Sequence, residues 1–280
     1  IYTDSNLPDN TDTLSVGGFV KLDETITATD FTDDFSSWTE TGSQFTVATD
    51  KIDYVIKRDG NSHHVIKDLT GVLGGDLSDD GFVVRWHMVN TALTYESTYA
   101  QTAVFALHSG TPDKSTSQDY LGFAYHFGAA DDGFFLRTGD GVNMHSPSTQ
   151  TQLGSNGAIT STMDNYFEIK RTSPTSVTMS VFPDDTYGTP TYTATATISS
   201  SYTGLDSLSL FSYNSSTRGT TMTGYMDSVE VYNGVTSTDP VSPANTKLLG
   251  INDVTFNVGP TSASVDSLVT GNAWDFGGGM

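Results

Sequence analysis

From Phe82 to Met88 the side chains alternate, with Phe82, Val84, Trp86 and Met88 on one side and Val83, Arg85 and His87 on the other. A repeat of two places these sets on opposite faces of a strand, whereas a helix would mix them around its axis. The same pattern recurs at residues 44–49, 52–57, 103–108, 120–127, 134–137, 166–171, 177–182, 192–198, 205–213 and 223–232, and helical periodicity is almost absent. Between these runs stand Asp59-Gly60-Asn61, Ser78-Asp79-Asp80-Gly81, Asp131-Asp132-Gly133 and Pro183-Asp184-Asp185. Such turns use Gly for positive φ and Asp to bond its own backbone. Ten or more short strands joined this way predict an all-β chain of two packed antiparallel sheets. No 20- to 50-residue repeat accompanies them, which argues against a solenoid or propeller.

A composition shift at 235–245, Val-Thr-Ser-Thr-Asp-Pro-Val-Ser-Pro-Ala-Asn, marks a linker, because two prolines cannot donate to a ladder. Residues 1–28 and 246–280 are too short to bury cores of their own, although 14–22 and 247–258 each offer strand-forming residues. Both read as arms that lie against the sandwich or against a neighbouring subunit.

Charge narrows the partners. Lys and Arg total 12 against 33 Asp and Glu, a net charge of -21, so nucleic acid and anionic membrane surfaces would be repelled. No apolar run is long enough to span a bilayer. The chain opens Ile1-Tyr2-Thr3-Asp4, without an initiator Met or a signal pattern, which reads as a processed end or as a cut through a longer chain, so any targeting segment would lie out of view. It has no cysteine, which removes disulfides, thiolate zinc sites and cysteine nucleophiles. Its uncharged polar residues, mostly Thr, Ser, Asn and Gly, suit an extracellular, cell-surface or virion-surface protein.

Asp33-Asp34-Phe35-Ser36-Ser37-Trp38 near the start, and Gly224-Tyr225-Met226-Asp227-Ser228-Val229-Glu230-Val231-Tyr232-Asn233 much later, resemble the opening and closing strands of concanavalin-A-like, laminin-G-like jelly rolls. The resemblance covers residues 29–234 and implies one jelly-roll β-sandwich whose first and last strands pair. Independently, Phe35 and Trp38 bring large apolar area to a core edge, and Val229 and Val231 alternate with Glu230 and Tyr232. Members of this superfamily bind glycans, proteins or calcium, and some hydrolyse glycosides, so fold leaves function open.

Glycoside hydrolysis needs a carboxylate pair across the scissile bond. No Glu-x-Asp-x-x-Glu strand occurs, and the five glutamates, Glu24, Glu40, Glu96, Glu168 and Glu230, are scattered. The expectation is therefore a chain that is not an enzyme. An acid and base on distant strands would revive the hydrolase reading.

By resemblance, Asp33, Asp34 and Asp227 fall where jelly rolls hold a structural Ca2+, and calcium's preference for six to eight oxygens suits carboxylates. Turn capping, in which a carboxylate accepts backbone N–H groups without an ion, is the competing reading. The loop Gly128-Ala129-Ala130-Asp131-Asp132-Gly133-Phe134-Phe135 resembles the segment through which legume-type lectins hold a sugar with an Asp, which points to Asp131 and Asp132. It carries an extra Asp and lacks the family's adjoining metal-ligand strand, so a hairpin turn is the alternative. Among the histidines, His87 and His126 would form a binding pair if they shared a sheet face, and polar-face residues otherwise.

The sequence thus supports a lectin-like module recognising glycan or a protein surface. The alternative is an assembly subunit of a virion or extracellular filament, with arms engaging copies of itself or other subunits by strand addition.

Overall fold

The computed structural model describes residues 13–16, 31–59, 61, 63–94, 100–112, 117–127, 133–142, 148–154, 162–212, 218–234 and 254–257. Residues 25–241 form one compact unit, and residues 1–24 with 242–280 form another. In the second unit β1 (Thr13–Val16) pairs antiparallel with β17 (Val254–Asn257), Thr13 opposite Asn257. The two arms expected from the sequence therefore supply one strand each to a shared ribbon. The expected linker at 235–245 lies outside the described residues.

The larger unit is an antiparallel two-sheet sandwich. One sheet contains β3 (Thr39–Thr41), β6 (His64–Asp68), β8 (Ala100–His108), β9 (Gln118–Phe127), β10 (Gly133–Val142), β11 (Thr149–Leu153) and β15 (Ser207–Phe211), in the order β11-β10-β9-β8-β15-β6-β3. The other contains β2 (Phe31–Thr32), β4 (Phe45–Val47), β5 (Lys51–Arg58), β7 (Phe82–Thr94), β12 (Met163–Ser173), β13 (Ser176–Phe182), β14 (Tyr192–Thr197) and β16 (Arg218–Asn233). Its order is β14-β13-β12-β7-β16-β5-β4, with β2 also on β16. A single helical turn, α1 (Thr70–Leu73), ends at Gly74, whose φ of 74° reverses the chain at low steric cost.

The pairing of β2 with β16, Thr32 opposite Glu230 and Phe31 opposite Val231, brings the first and last strands of the sandwich side by side, as the resemblance implies. Phe35 and Trp38 follow at once, buried and stacked with ring centroids 5.7 Å apart.

The alternation read in β7 is realised. Trp86 stacks on Phe167 of the neighbouring β12 at 5.3 Å and meets Phe105 of the facing sheet at 4.3 Å. All three are fully buried, each contributing roughly 1.5–3 kcal/mol by leaving water. The outward side chains of β7, among them Arg85 and His87, belong to the other face of that sheet.

On β16 the register shifts between Asp227 and Glu230, and Ser228 takes a φ of 53°. This one-residue bulge keeps Val229 and Val231 in the core while Asp227 and Glu230 both face outward.

Candidate functional site

Register alone assembles a row across the outer face of the eight-stranded sheet. Phe182 of β13 lies opposite Tyr166 of β12, Tyr166 opposite His87 of β7, His87 opposite Asp227 of β16, and Asp227 opposite Lys51 of β5. A parallel row holds Glu168, Arg85 and Glu230. On the other side Asp164, Val89, Tyr225 and Asp53 complete the patch.

His87 is the centre of the patch. Its Nδ1 lies 2.8 Å from Asp227 Oδ1 and its Nε2 lies 2.8 Å from Asp164 Oδ1, so one imidazole ties β12 to β16 across β7. The ring stacks on Tyr166 at 4.2 Å, nearly parallel, and meets Tyr225 edge-on at 6.1 Å. Burial alone would lower the His87 pKa, but hydrogen bonds to Asp227 and then Asp164 outweigh it and hold the value above 6.5. At Asp227 burial pushes upward, and the bonds from His87 and Ser228 pull the carboxyl below its usual 3.8. The two carboxylates differ in exposure: the Asp164 side chain is 75% exposed and that of Asp227 26%.

The neighbouring row is closed. Arg85 sends Nε and a terminal nitrogen to Glu168 Oε2, both at 2.8 Å, and Lys170 approaches Glu168 Oε1 at 3.3 Å. Tyr187, from the β13–β14 connection, lays its ring 4.0 Å over the Arg85 guanidinium and packs edge-on against Phe182 and Tyr166. Tyr187 adopts a φ of 52°, a conformation unfavourable for a bulky side chain and offset by these contacts. Glu230 accepts the Tyr232 hydroxyl at 2.9 Å.

This arrangement bears on catalysis. A His–Asp pair serves acyl transfer when the second ring nitrogen faces a nucleophilic hydroxyl, and here that nitrogen faces the Asp164 carboxylate. Glu168 is locked by two cations.

Of the residues singled out in the sequence, His87 and Asp227 are brought together, although they were expected in different roles. His87 and His126 are not, because β7 and β9 lie in different sheets. The His126 backbone pairs with Gly133. Asp131 and Asp132 lie outside the described residues.

The carboxylates expected to hold calcium all have protein partners in this structure. Asp33 Oδ1 accepts the Phe35 amide at 2.7 Å, and its Oδ2 accepts the Trp38 indole N–H at 2.7 Å. Asp34 Oδ1 accepts the hydroxyl and amide of Ser36 at 2.7 and 3.0 Å, which lower its pKa in that order. Asp227 is bonded to His87. Turn capping thus accounts for Asp33 and Asp34, and an imidazole for Asp227. Among the described residues no group of three or more His, Asp or Glu side chains is arranged to hold a metal ion.

Sequence reasoning missed Asp164, Tyr166, Arg85 and Tyr187 as members of one patch. The available signal was the set of polar and aromatic residues alternating outward along β7, β12 and β16, which becomes a patch only once the strand order is known.

The sequence matches no protein-family model and no curated protein. Solved structures similar to it include the VIP36 exoplasmic/lumenal domain in its Ca2+/Man-bound form, with a TM-score of 0.49 at 5% identity over 73% of this chain and 86% of that one. A legume lectin-like domain from Entamoeba histolytica scores 0.45 at 11% identity over 82% and 99%. The CBM2 module of Lactobacillus casei BL23 phage J-1 evolved Dit scores 0.45 at 13% identity over 73% and 95%. The architecture rests on the chain's own strand order, an antiparallel two-sheet β-sandwich whose first and last strands pair.

Proposed function

We propose that this protein is a non-catalytic, surface-exposed binding module that recognises glycan through the outer face of its eight-stranded sheet. The observation that carries this reading is the His87 clamp, in which one imidazole holds the largely exposed Asp164 carboxylate and itself packs against the rings of Tyr166 and Tyr225. Sugars need carboxylate acceptors for hydroxyls and aromatic surface for C–H groups, and the patch supplies both on rigid strands. With a net charge of -21 the favoured glycans are uncharged. The test is a glycan array followed by titration calorimetry with wild type and Asp164→Ala. Binding of an uncharged glycan, weakened roughly tenfold or more by the substitution, supports the reading. A hit left unchanged by Asp164→Ala, or no hit at all, overturns it.

A second reading, assembly subunit of a virion or extracellular filament, is favoured by the β1–β17 ribbon. Two four-residue strands are marginal by themselves, and a neighbouring copy could complete the sheet by strand addition. Light scattering of the full chain and of residues 25–241 tests it. An oligomer that becomes monomeric on trimming supports it, and monomers in both cases exclude it.

A further inference from the structure

We infer that the binding face is set by a proton on His87 rather than by calcium: the imidazolium clamps Asp164 and Asp227 together, and its deprotonation releases Asp164. The role of this face in glycan binding rests on the proposed function, whereas the clamp itself rests on geometry.

Both ring nitrogens of His87 face carboxylate oxygens at 2.8 Å. An ionised carboxylate only accepts, and a neutral imidazole has only one N–H, so the neutral ring would turn a lone pair toward an anionic oxygen. Both bonds form together only when the ring carries two protons. On deprotonation one bond must break. Asp227 is the more enclosed carboxylate and lies beside the bulge at Ser228, whereas Asp164 is mostly in water, so Asp164 is the one that leaves.

The surroundings favour the charged ring. From β12 it is faced by Asp164, Tyr166 and Glu168, and from β16 by Tyr225, Asp227 and Glu230. Lys51 and Asp53 of β5 follow beyond β16, paired to each other at 2.9 Å, while Arg85 on β7 is engaged with Glu168. Asp185 and Tyr187 come from the β13–β14 connection, Asp185 acting on Tyr166. Carboxylates outnumber cations here, and the two nearest cations already have partners. In this arrangement the imidazolium does what a divalent cation would do elsewhere: it neutralises paired carboxylates and fixes their geometry.

The experiment is an NMR titration of the His87 ring C–H signals in the full chain from pH 5 to 9, with calcium or with chelator, for wild type and Asp164→Asn. Asp164 is exposed, so this variant should fold as wild type does, and His87→Gln serves as a second check because its amide can still donate to Asp227. The expected result is a His87 midpoint above 6.5, a downward shift in Asp164→Asn, Tyr166 signals that move with the same midpoint, and no response to calcium. A midpoint at or below 6.5, a midpoint indifferent to Asp164→Asn, or one lowered by calcium would overturn the clamp. Where the array yields a glycan, its affinity should fall roughly tenfold as pH rises through that midpoint, in wild type and not in His87→Gln. An intact NMR clamp without any glycan binding sinks the proposed function and leaves the proton switch standing.

Discussion

Trp38 donates its indole N–H to the carboxylate of Asp33, five residues earlier, at 2.7 Å, while the other oxygen of that carboxylate receives the Phe35 amide at 2.7 Å. Phe35 between them sits at a φ of 60°, unfavourable for an aromatic residue, so the carboxylate holds a strained turn that lays two aromatic rings on the core. Lys67 Nζ lies 3.5 Å from the same carboxylate. Asp33→Ala would leave an indole N–H, an amide and an ammonium poorly matched in a buried site. Urea unfolding should show a loss of about 3 kcal/mol, with Asp33→Asn losing less because its carbonyl can still accept one bond. Equal stability of Asp33→Ala and wild type would remove the carboxylate from this role.

Gly224 of β16 marks a place where backbone meets backbone. A Cβ there would lie 1.9 Å from the Val89 carbonyl oxygen and 2.6 Å from the Tyr54 hydroxyl, which itself donates to that carbonyl at 2.7 Å. Because the obstacle is main chain in the adjacent strand, relaxation must move the sheet. Gly224→Ala should cost about 3 kcal/mol or more in thermal or urea unfolding. Gly75→Ala, with nothing within 4 Å of its Cβ, is the control and should stay within about 0.5 kcal/mol of wild type.

The strands with clean alternation were legible in the sequence, and those without it were not. In β7, Phe82, Val84, Trp86 and Met88 announce the core face. β11, Thr-Gln-Thr-Gln-Leu, has one apolar residue and lies at a sheet edge, where pairing with β10 carries it. β6, His-Val-Ile-Lys-Asp, hides because Lys67 occupies a buried position that its stretch of polar residues does not advertise. The site was less legible for a geometric reason. His87 and Asp227 stand out singly, but their meeting depends on the order β12-β7-β16 and on the bulge at Ser228, both set by long-range pairing. Calcium binding and turn capping stayed rival readings of Asp33 and Asp34 in the sequence, because a carboxylate in an Asp-Asp-Phe turn bonds its own backbone as readily as an ion and spacing cannot distinguish the two; the structure shows the backbone bonds.

His108 makes acid stability a test of burial. It lies in register between Ser207 and Tyr120, fully enclosed, and burial lowers its pKa from 6.5 to about 4. The unfolded chain therefore binds a proton that the folded chain refuses, and stability falls as pH drops from 6.5 toward about 4, by roughly 3 kcal/mol at the limit. His87 acts with the opposite sign: its raised pKa gives a contribution fully present below 6.5 and lost as pH rises through the folded value. His108→Leu should flatten the acid limb of the urea midpoint between pH 7 and 4.5 and leave the alkaline limb alone. An unchanged acid limb would mean that another group drives acid unfolding.

The Arg85–Glu168 pair separates the worth of an ion pair from the cost of breaking it. Glu168 is 3% exposed and Arg85 13%, under the ring of Tyr187. Desolvation of both charges opposes their attraction, so the pair itself contributes little net stability, while either charge alone is costly. Glu168→Leu removes the carboxylate that the Arg85 guanidinium is buried against and should lose about 3 kcal/mol or more in urea unfolding. Combining it with Arg85→Met removes the principal stranded charge and should recover most of that loss, although the cation–π contact with Tyr187, about 1 kcal/mol, goes with the guanidinium. A double variant as unstable as the sum of the two single variants would show that the charges act independently and that the pair is not the unit which holds β7 to β12 on this face.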